Sequence, residues 1–206
     1  MAGMVDEPTR PDRSKSRGIL LHTCCAWCLL DVLEAFRRDY DRVAVAFCNP
    51  NIHPRGEFRK RLKSVRLLCE RLDVGFHAEE EYGLAPFLAG LYNAPGFDPA
   101  ADRAGRCSWC YAVRMARTAG LAAELGLGAF STTLLSSPHQ MQDRLRAAGE
   151  RAAAEAGVAF DGRDLRALHG TGREKLPNRL LLHRQYYCGC IFSEAEPEGH
   201  CEGLGG

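Results

Sequence analysis

What this sequence lacks narrows it first. No apolar run approaches the roughly 18 residues of a membrane span. The opening stretch, Met1 to Arg17, is rich in Pro, Asp, Arg, Lys and Ser and has no apolar centre of the kind a secretory signal requires. It is expected to be a mobile tail, and the protein is expected to be cytoplasmic. Charge of one sign is not in surplus either. Lys and Arg number 27 against 26 Asp and Glu, a formal net charge of +1. That excludes a globally basic nucleic-acid binder and leaves only local basicity to look for. No Walker-type loop and no G-x-G-x-x-G turn follows the first apolar run, which argues against a nucleotide-dependent transferase. There is no internal repeat.

What is present is an ordinary globular composition, 46% apolar and 26% charged over 206 residues, enough for one good-sized core. Short apolar runs read as buried strands at Gly18 to His22 (GILLH), Val43 to Phe47 (VAVAF), Asp73 to His77, Ala129 to Leu135 (AFSTTLL) and Val158 to Phe160. Helical patterns lie between them. Leu29, Val32, Leu33 and Phe36 share one side. Phe58, Leu62, Val65, Leu68 and Leu72 recur at spacings of four and three. Further helices are expected from Leu84 to Leu91, from Cys107 to about Leu125, and from His139 to about Ala156, the last capped by Ser136-Ser137-Pro138. Strands alternating with helices predict one α/β domain over residues 18–193, a doubly wound, mostly parallel sheet of Rossmann-like or HUP-like type, followed by a second mobile tail over 194–206. In such sheets ligands sit beyond the carboxyl ends of the strands. Cys24 and Cys25, His53 and Ser136 all fall on that edge.

Seven of the ten cysteines are clustered, as Cys24-Cys25-x-x-Cys28, Cys107-x-x-Cys110 and Cys188-x-Cys190. In a chain of this size with no export signal, such clusters point to metal or redox chemistry rather than a disulfide framework. A C-x-x-C at a helix start puts two sulfurs on one side, where the helix N-terminus favours the thiolate, the form that zinc and iron–sulfur clusters bind. Spacing alone leaves zinc and iron–sulfur both open; the adjacent Cys24-Cys25 pair suits a larger cluster better than a simple zinc knuckle. Cys188-Gly189-Cys190 would close a small, strained ring on oxidation, which suits a redox-active pair or a second, open metal site better than a structural disulfide. Cys69 lies on an apolar helix face and reads as packing. Cys48 and Cys201 have no clustered partner.

Taken together, HTCCAWC, NPNIHP, RCSWCYAVRMARTA, FSTTLLSSPH and RQYYCGCIFS resemble the QueH-type, cobalamin-independent epoxyqueuosine reductases over about residues 18 to 193. The resemblance implies reduction of the epoxide of epoxyqueuosine to queuosine at the wobble position of tRNA, with a 4Fe-4S cluster and an external electron donor. It implies Cys24, Cys25, Cys107 and Cys110 as cluster ligands. It also implies Cys188 and Cys190 as a redox-active pair or as ligands of a second, mononuclear iron, and Cys28 as an auxiliary thiol near the site. The chain departs from the family pattern at Trp27, where Pro is usual, at His139-Gln140-Met141 in place of Tyr-Lys-Asn, and at Ala167 in place of Lys.

Asn51, His53, Tyr111 and Arg114 are adjacent to these motifs and are candidates for holding the modified base or donating a proton. Residues 55 to 71 carry Arg55, Arg59, Lys60, Arg61, Lys63, Arg66 and Arg71 against Glu57 and Glu70. They read as a basic polar face for tRNA opposite the apolar stripe. Trp27 and Trp109 offer stacking surfaces for an unpaired base. Two rival readings stand beside this one: a zinc-stabilised RNA- or protein-binding module without catalysis, which needs the same cysteines, and a thiol–disulfide oxidoreductase, which would use one C-x-x-C and leave the Cys24-Cys25 pair unexplained.

Overall fold

The structure is a computed structural model, and it describes residues 17–174 and 182–195. Most of the two expected tails, and Cys201 with them, lies outside the described residues. At the inner boundaries Arg17 exchanges backbone and side-chain hydrogen bonds with Asp41, and a short helix extends to Ala195.

Among the described residues five strands, β1 (Gly18–His22), β2 (Arg42–Phe47), β3 (Gly75–Ala78), β4 (Ala129–Thr132) and β5 (Ala159–Phe160), form one sheet in the order β3-β2-β1-β4-β5, every pair parallel. Among the described residues six helices accompany them: α1 (Ala26–Asp39), α2 (Arg55–Arg71), α3 (Leu84–Asn93), α4 (Arg103–Glu124), α5 (Gln142–Ala156) and α6 (Ile191–Ala195). The expected α/β sheet is therefore present, and it is all parallel. Strand β1 lies at its centre with every residue buried. Ile19, Leu20 and Leu21 have no exposed surface, and burying each contributes about 1.5–3 kcal/mol. A strand covered on both faces has no need to alternate polar and apolar residues. Helix α1 packs beside α2, and α4 beside α5.

The chain leaves β1 for β2 and β3 on one side, then returns to place β4 and β5 on the other. The order thus reverses between β1 and β4, and a crevice opens beyond their carboxyl ends. Asp31, buried on α1, accepts the backbone N–H groups of Gly170 and Gly172 and fastens the later segment beside this crevice. No helix among the described residues is long and apolar enough to cross a membrane.

Some local expectations shift. Helix α4 starts one turn before Cys107, because Asp102 Oδ1 accepts the Gly105 N–H at 2.9 Å and caps it there. Cys107 and Cys110 are therefore inside a helix rather than at its N-terminus. Strand β4 stops at Thr132, whose hydroxyl accepts the Leu134 N–H and turns the chain into a 3₁₀ turn over Thr133–Ser136. Helix α5 accordingly begins at Gln142 rather than His139.

Gly149 on α5 faces the Phe160 ring, which lies 5.1 Å from the Phe130 ring. A Cβ at position 149 would come within 2.4 Å of Phe160. On an open helix face Gly→Ala stabilises by up to about 1 kcal/mol; here overpacking should cost about 1–3 kcal/mol and win. Gly149→Ala is expected to lower the urea midpoint, and a raised midpoint would contradict this packing.

Candidate metal and redox site

The turn after β1 builds the first thiol group. Thr23 is held on three sides: its N–H donates to Ala46 O, its carbonyl accepts from Asn49 Nδ2, and its hydroxyl donates to Cys25 O. Cys25 is then the N-cap of α1, and its Sγ accepts the Cys28 N–H at 3.1 Å. This wraps three sulfurs into one place, with Cys24, Cys25 and Cys28 Sγ all within 4.8 Å of one another. The triad could hold a metal ion.

Its electrostatics divide the three thiols. Hydrogen bonds from the Cys25 and Cys28 thiols, acting against burial and helped by the Arg114 and Arg61 guanidiniums, hold Cys24 well below the usual thiol range. Burial, then the proximity of Cys24, pushes Cys25 up; Cys28 is pushed up chiefly by its bonds to the other two. Of the three, Cys24 is the thiol most readily ionised, beside a helix N-terminus that favours negative charge.

The second group comes from α4 and the Cys-Gly-Cys loop. A cavity of about 80 Å³ is lined by Cys107, Cys110, Cys188 and Cys190 with Tyr111 and Arg114. A neighbouring cavity of about 70 Å³ is lined by Cys24, Cys28, Arg61, His169, Gln185 and Cys188. Cys188 borders both and is exposed. Burial pushes the Cys110 thiol up to about 12, and burial with the neighbouring Cys188 pushes Cys190 up to about 11. Cys107 and Cys110 do not fall within the compact group of Cys24, Cys25 and Cys28; the structure sets them with Cys188 and Cys190 instead.

Arg114 links the groups. It is 1% exposed and donates to Asn49 Oδ1 at 2.9 Å, to Cys110 Sγ at 3.6 Å and to His22 Nε2 at 3.4 Å. Burial works against its charge, but Cys110, Cys24 and Cys188 hold its pKa above the ordinary value. His22 is lowered to about 3 by burial and by Arg114, so it is neutral. Its Nε2 accepts from Arg114, which leaves the proton on Nδ1 to bond Thr132 Oγ1 at 2.8 Å.

Arg61 performs a similar task for the Cys-Gly-Cys loop. Its guanidinium donates to the carbonyls of Tyr187 (2.9 Å) and Cys188 (3.2 Å) and to Glu57 Oε1, while His183 Nε2 donates to the other Glu57 oxygen. The His53 N–H donates to Gly189 O, and Ile52 bridges Cys190. Arg61 is 1% exposed, which corrects its assignment to the basic polar face. Position 61 follows Phe58 by three and precedes Val65 by four, so the helix turns it onto the apolar side. Arg66 is half-buried and paired with Glu80 at 2.6 Å. Arg55, Arg59, Lys60, Lys63 and Arg71 are exposed.

The other candidates are placed as follows. Tyr111 is buried, donates to Gln140 Oε1 and borders the larger cavity. His53 pairs with the Tyr82 hydroxyl behind the Cys-Gly-Cys loop. Asn51 is buried, and neither of its amide atoms has a hydrogen-bond partner among the described residues. Trp27 and Trp109 are half-buried, with their indole N–H groups enclosed. Gln185 and His169 are absent from the sequence expectations. Gln185 Nε2 donates to Cys25 Sγ at 2.8 Å, and His169, whose Nδ1 is buried without a hydrogen-bond partner among the described residues, lines the smaller cavity. Gln185 sits inside the quoted RQYYCGC motif, a usable signal; His169 has none.

A family model described as Epoxyqueuosine reductase QueH matches residues 19–196. The chain is 35% identical over 181 residues to the epoxyqueuosine reductase QueH of Dehalococcoides mccartyi, covering 88% of this chain and 94% of that protein. It is 30% identical over 187 residues to that of Thermotoga maritima, covering 89% and 94%. Against that of Helicobacter pylori it is 32% identical over 185 residues, covering 85% of this chain and 49% of that protein, so it spans about half of that relative's length.

Gly189 has φ +98°, and a Cβ there would lie 3.0 Å from Arg61 Nη1 and 3.2 Å from Ile52 Cγ1. Gly189→Ala is expected to cost about 1–3 kcal/mol through strain at this φ, read as a lowered urea midpoint. An unchanged midpoint would mean that the loop is not held as described.

Proposed function

The chain belongs to the epoxyqueuosine reductase QueH family, a family of oxidoreductases, and on that premise we propose that it reduces the epoxide of epoxyqueuosine to queuosine at the wobble position of tRNA. The observation that carries the reading is the meeting of thiols from three distant segments around the buried Arg114, with Cys188 bordering both cavities.

The donor set supports a thiolate-bound group. It is all sulfur, with Cys24 and Cys25 buried and Cys107 and Cys110 half-buried, it is approached by two buried guanidiniums that offset thiolate charge, and Gln185 donates an N–H to one of its sulfurs. We assign Cys24, Cys25, Cys107 and Cys110 to a 4Fe-4S cluster, with Cys28 as the auxiliary thiol beside it. When bound, such a cluster supplies single electrons at low potential. Cys188 and Cys190 act as a dithiol; a second, mononuclear iron held at this pair is the variant of the same scheme. Closing to a disulfide, the pair releases two electrons and two protons. An epoxide that takes up two electrons and two protons becomes an alkene and water, so the step balances. Arg114 keeps a fixed positive charge beside the thiols as they lose protons. Tyr111, which borders the larger cavity, is the candidate proton donor to the departing oxygen; Asn51 and His53 are candidates for holding the modified base, and the His53 N–H also fastens the Cys-Gly-Cys loop. Each turnover leaves the pair oxidised, which calls for an external electron donor. Free thiols and a tRNA substrate suit the cytoplasm.

The compactness of the Cys24, Cys25 and Cys28 group favours one second reading, a zinc-stabilised RNA-binding module. Metal analysis separates the two. Protein purified without oxygen should be brown, with broad absorption near ~400 nm and with iron and sulfide in equal amounts. Cys107→Ser should lose the colour. Cys188→Ser and Cys190→Ser should keep it and lose turnover of epoxyqueuosine-tRNA. A colourless zinc protein would sink the reductase reading, and full turnover in the Cys188 and Cys190 variants would remove the dithiol from it.

The exposed cations of α2 are proposed as the phosphate contact. Affinity for tRNA should fall with salt, and Arg59→Ala, Lys60→Ala and Lys63→Ala should each weaken it similarly, lowering the salt slope by about 1. Binding that does not respond to salt would exclude this face.

A further inference from the structure

Two large apolar side chains are prominently exposed among the described residues, Tyr92 and Tyr186, and Tyr186 is 67% exposed. Its setting is unusual. The residues around it turn inward: Leu182 is buried, Gln185 bonds Cys25 Sγ, and Tyr187 donates its hydroxyl to His53 O with its ring beneath the Arg61 guanidinium. Between Leu182 and Cys190 the exposed positions are Tyr186 and Cys188. An exposed aromatic ring therefore stands two residues from the exposed thiol that borders both cavities.

The ring is also rigidly rooted and backed. Arg61 bonds the carbonyls of the next two residues, so the backbone that carries the ring is fixed. The Arg184 guanidinium lies over the ring, 5.9 Å from its centroid, within cation–π range. An aromatic face and a guanidinium plane are the two surfaces on which proteins stack unpaired bases of single-stranded RNA loops. The neighbouring helix α2, which contributes Arg61, adds exposed Arg59, Lys60 and Lys63, a charge complement to phosphate.

We propose that Tyr186, backed by Arg184, is a stacking platform for an unpaired nucleobase of an RNA loop, adjacent to the nucleotide that enters the thiol cavity. The proposal rests on the tRNA reading above and adds to it a contact that carries no charge. Stacking on one aromatic ring is sequence-tolerant and changes affinity by roughly 5- to 150-fold per base. Because it neutralises no phosphate, it leaves the salt slope alone.

That difference defines the experiment. The probe is a labelled, unmodified tRNA anticodon stem-loop, titrated into the full-length protein by fluorescence anisotropy at several salt concentrations. Tyr186→Ala is expected to weaken binding by roughly 5- to 150-fold with an unchanged salt slope, and Tyr186→Phe and Tyr186→Trp to bind like the unaltered protein. A duplex of the stem alone should not distinguish Tyr186→Ala from the unaltered protein. Iron content and thermal midpoint should not move, which separates stacking from a structural role. Equal affinity of Tyr186→Ala for the stem-loop, or loss that Tyr186→Phe shares, overturns the platform while leaving the tRNA reading in place. If the unaltered protein does not bind the stem-loop, the tRNA reading fails and the platform with it.

Discussion

A guanidinium held out of water has to be neutralised, and the arrangement around Arg114 is the constraint on which the rest of this site depends. Removing such a group from solvent costs several kcal/mol unless hydrogen bonds and opposite charge replace the water. Here the replacements come from three separate parts of the chain. Asn49 follows β2, His22 ends β1, and Cys110 lies one turn back on α4. Satisfying the charge therefore docks α4 against the carboxyl ends of the two central strands. The thiols and the guanidinium need each other. Buried sulfurs can ionise only beside a fixed positive charge, and the charge can stay buried only beside groups able to become negative.

The reversal of strand order supplies the place where this exchange occurs. Because β1 is flanked by β2 on one side and β4 on the other, the turns that follow β1 and β4 diverge and leave a crevice between them. The Cys24–Cys28 turn fills one wall. The Cys-Gly-Cys loop arrives from far along the chain and closes the outer side, held by Arg61, by the His53 N–H and by the bridge from Ile52. Its position rests on backbone contacts to Arg61, His53 and Ile52 rather than on its sulfurs. Arg61 thus does for the outer wall what Arg114 does for the inner one: each is a buried charge that orients groups from separate parts of the chain.

Family membership and geometry bear on different questions. Membership identifies the class of reaction through the relatives' shared name. Geometry speaks to how this chain arranges its groups: a compact triad at a helix N-terminus, four further thiols about a second cavity, and one cysteine common to both. The neutral His22, with its tautomer set by Arg114, is a consequence of that arrangement and would be hard to anticipate from its flanking residues.

Much of this was legible in one dimension. GILLH and VAVAF are unbroken apolar runs, which only strands buried on both faces require, so the parallel sheet and its carboxyl edge follow from them. The cysteine spacing identified the seven thiols, because C-x-x-C and C-x-C are chemical patterns before they are structural ones. The start of α4 is set by the Asp102 cap, which lies upstream of the cysteines and carries no thiol signal. The charge of Arg61 points to solvent, but its helical phase puts it on the buried side, and the phase wins because Glu57 and two carbonyls replace its water. Which thiols gather with which, the role of Gln185 at Cys25, and the arrival of His169 in the smaller cavity were not legible at all. Sequence by itself determined the elements and the chemistry available to them, since local periodicity and residue type are properties of neighbours along the chain. The grouping of the thiols around Arg114 was decided only by tertiary structure, because it depends on residues far apart in the chain, such as Asn49 and Arg114 at 65 positions and His22 and Arg114 at 92, meeting at a switch point.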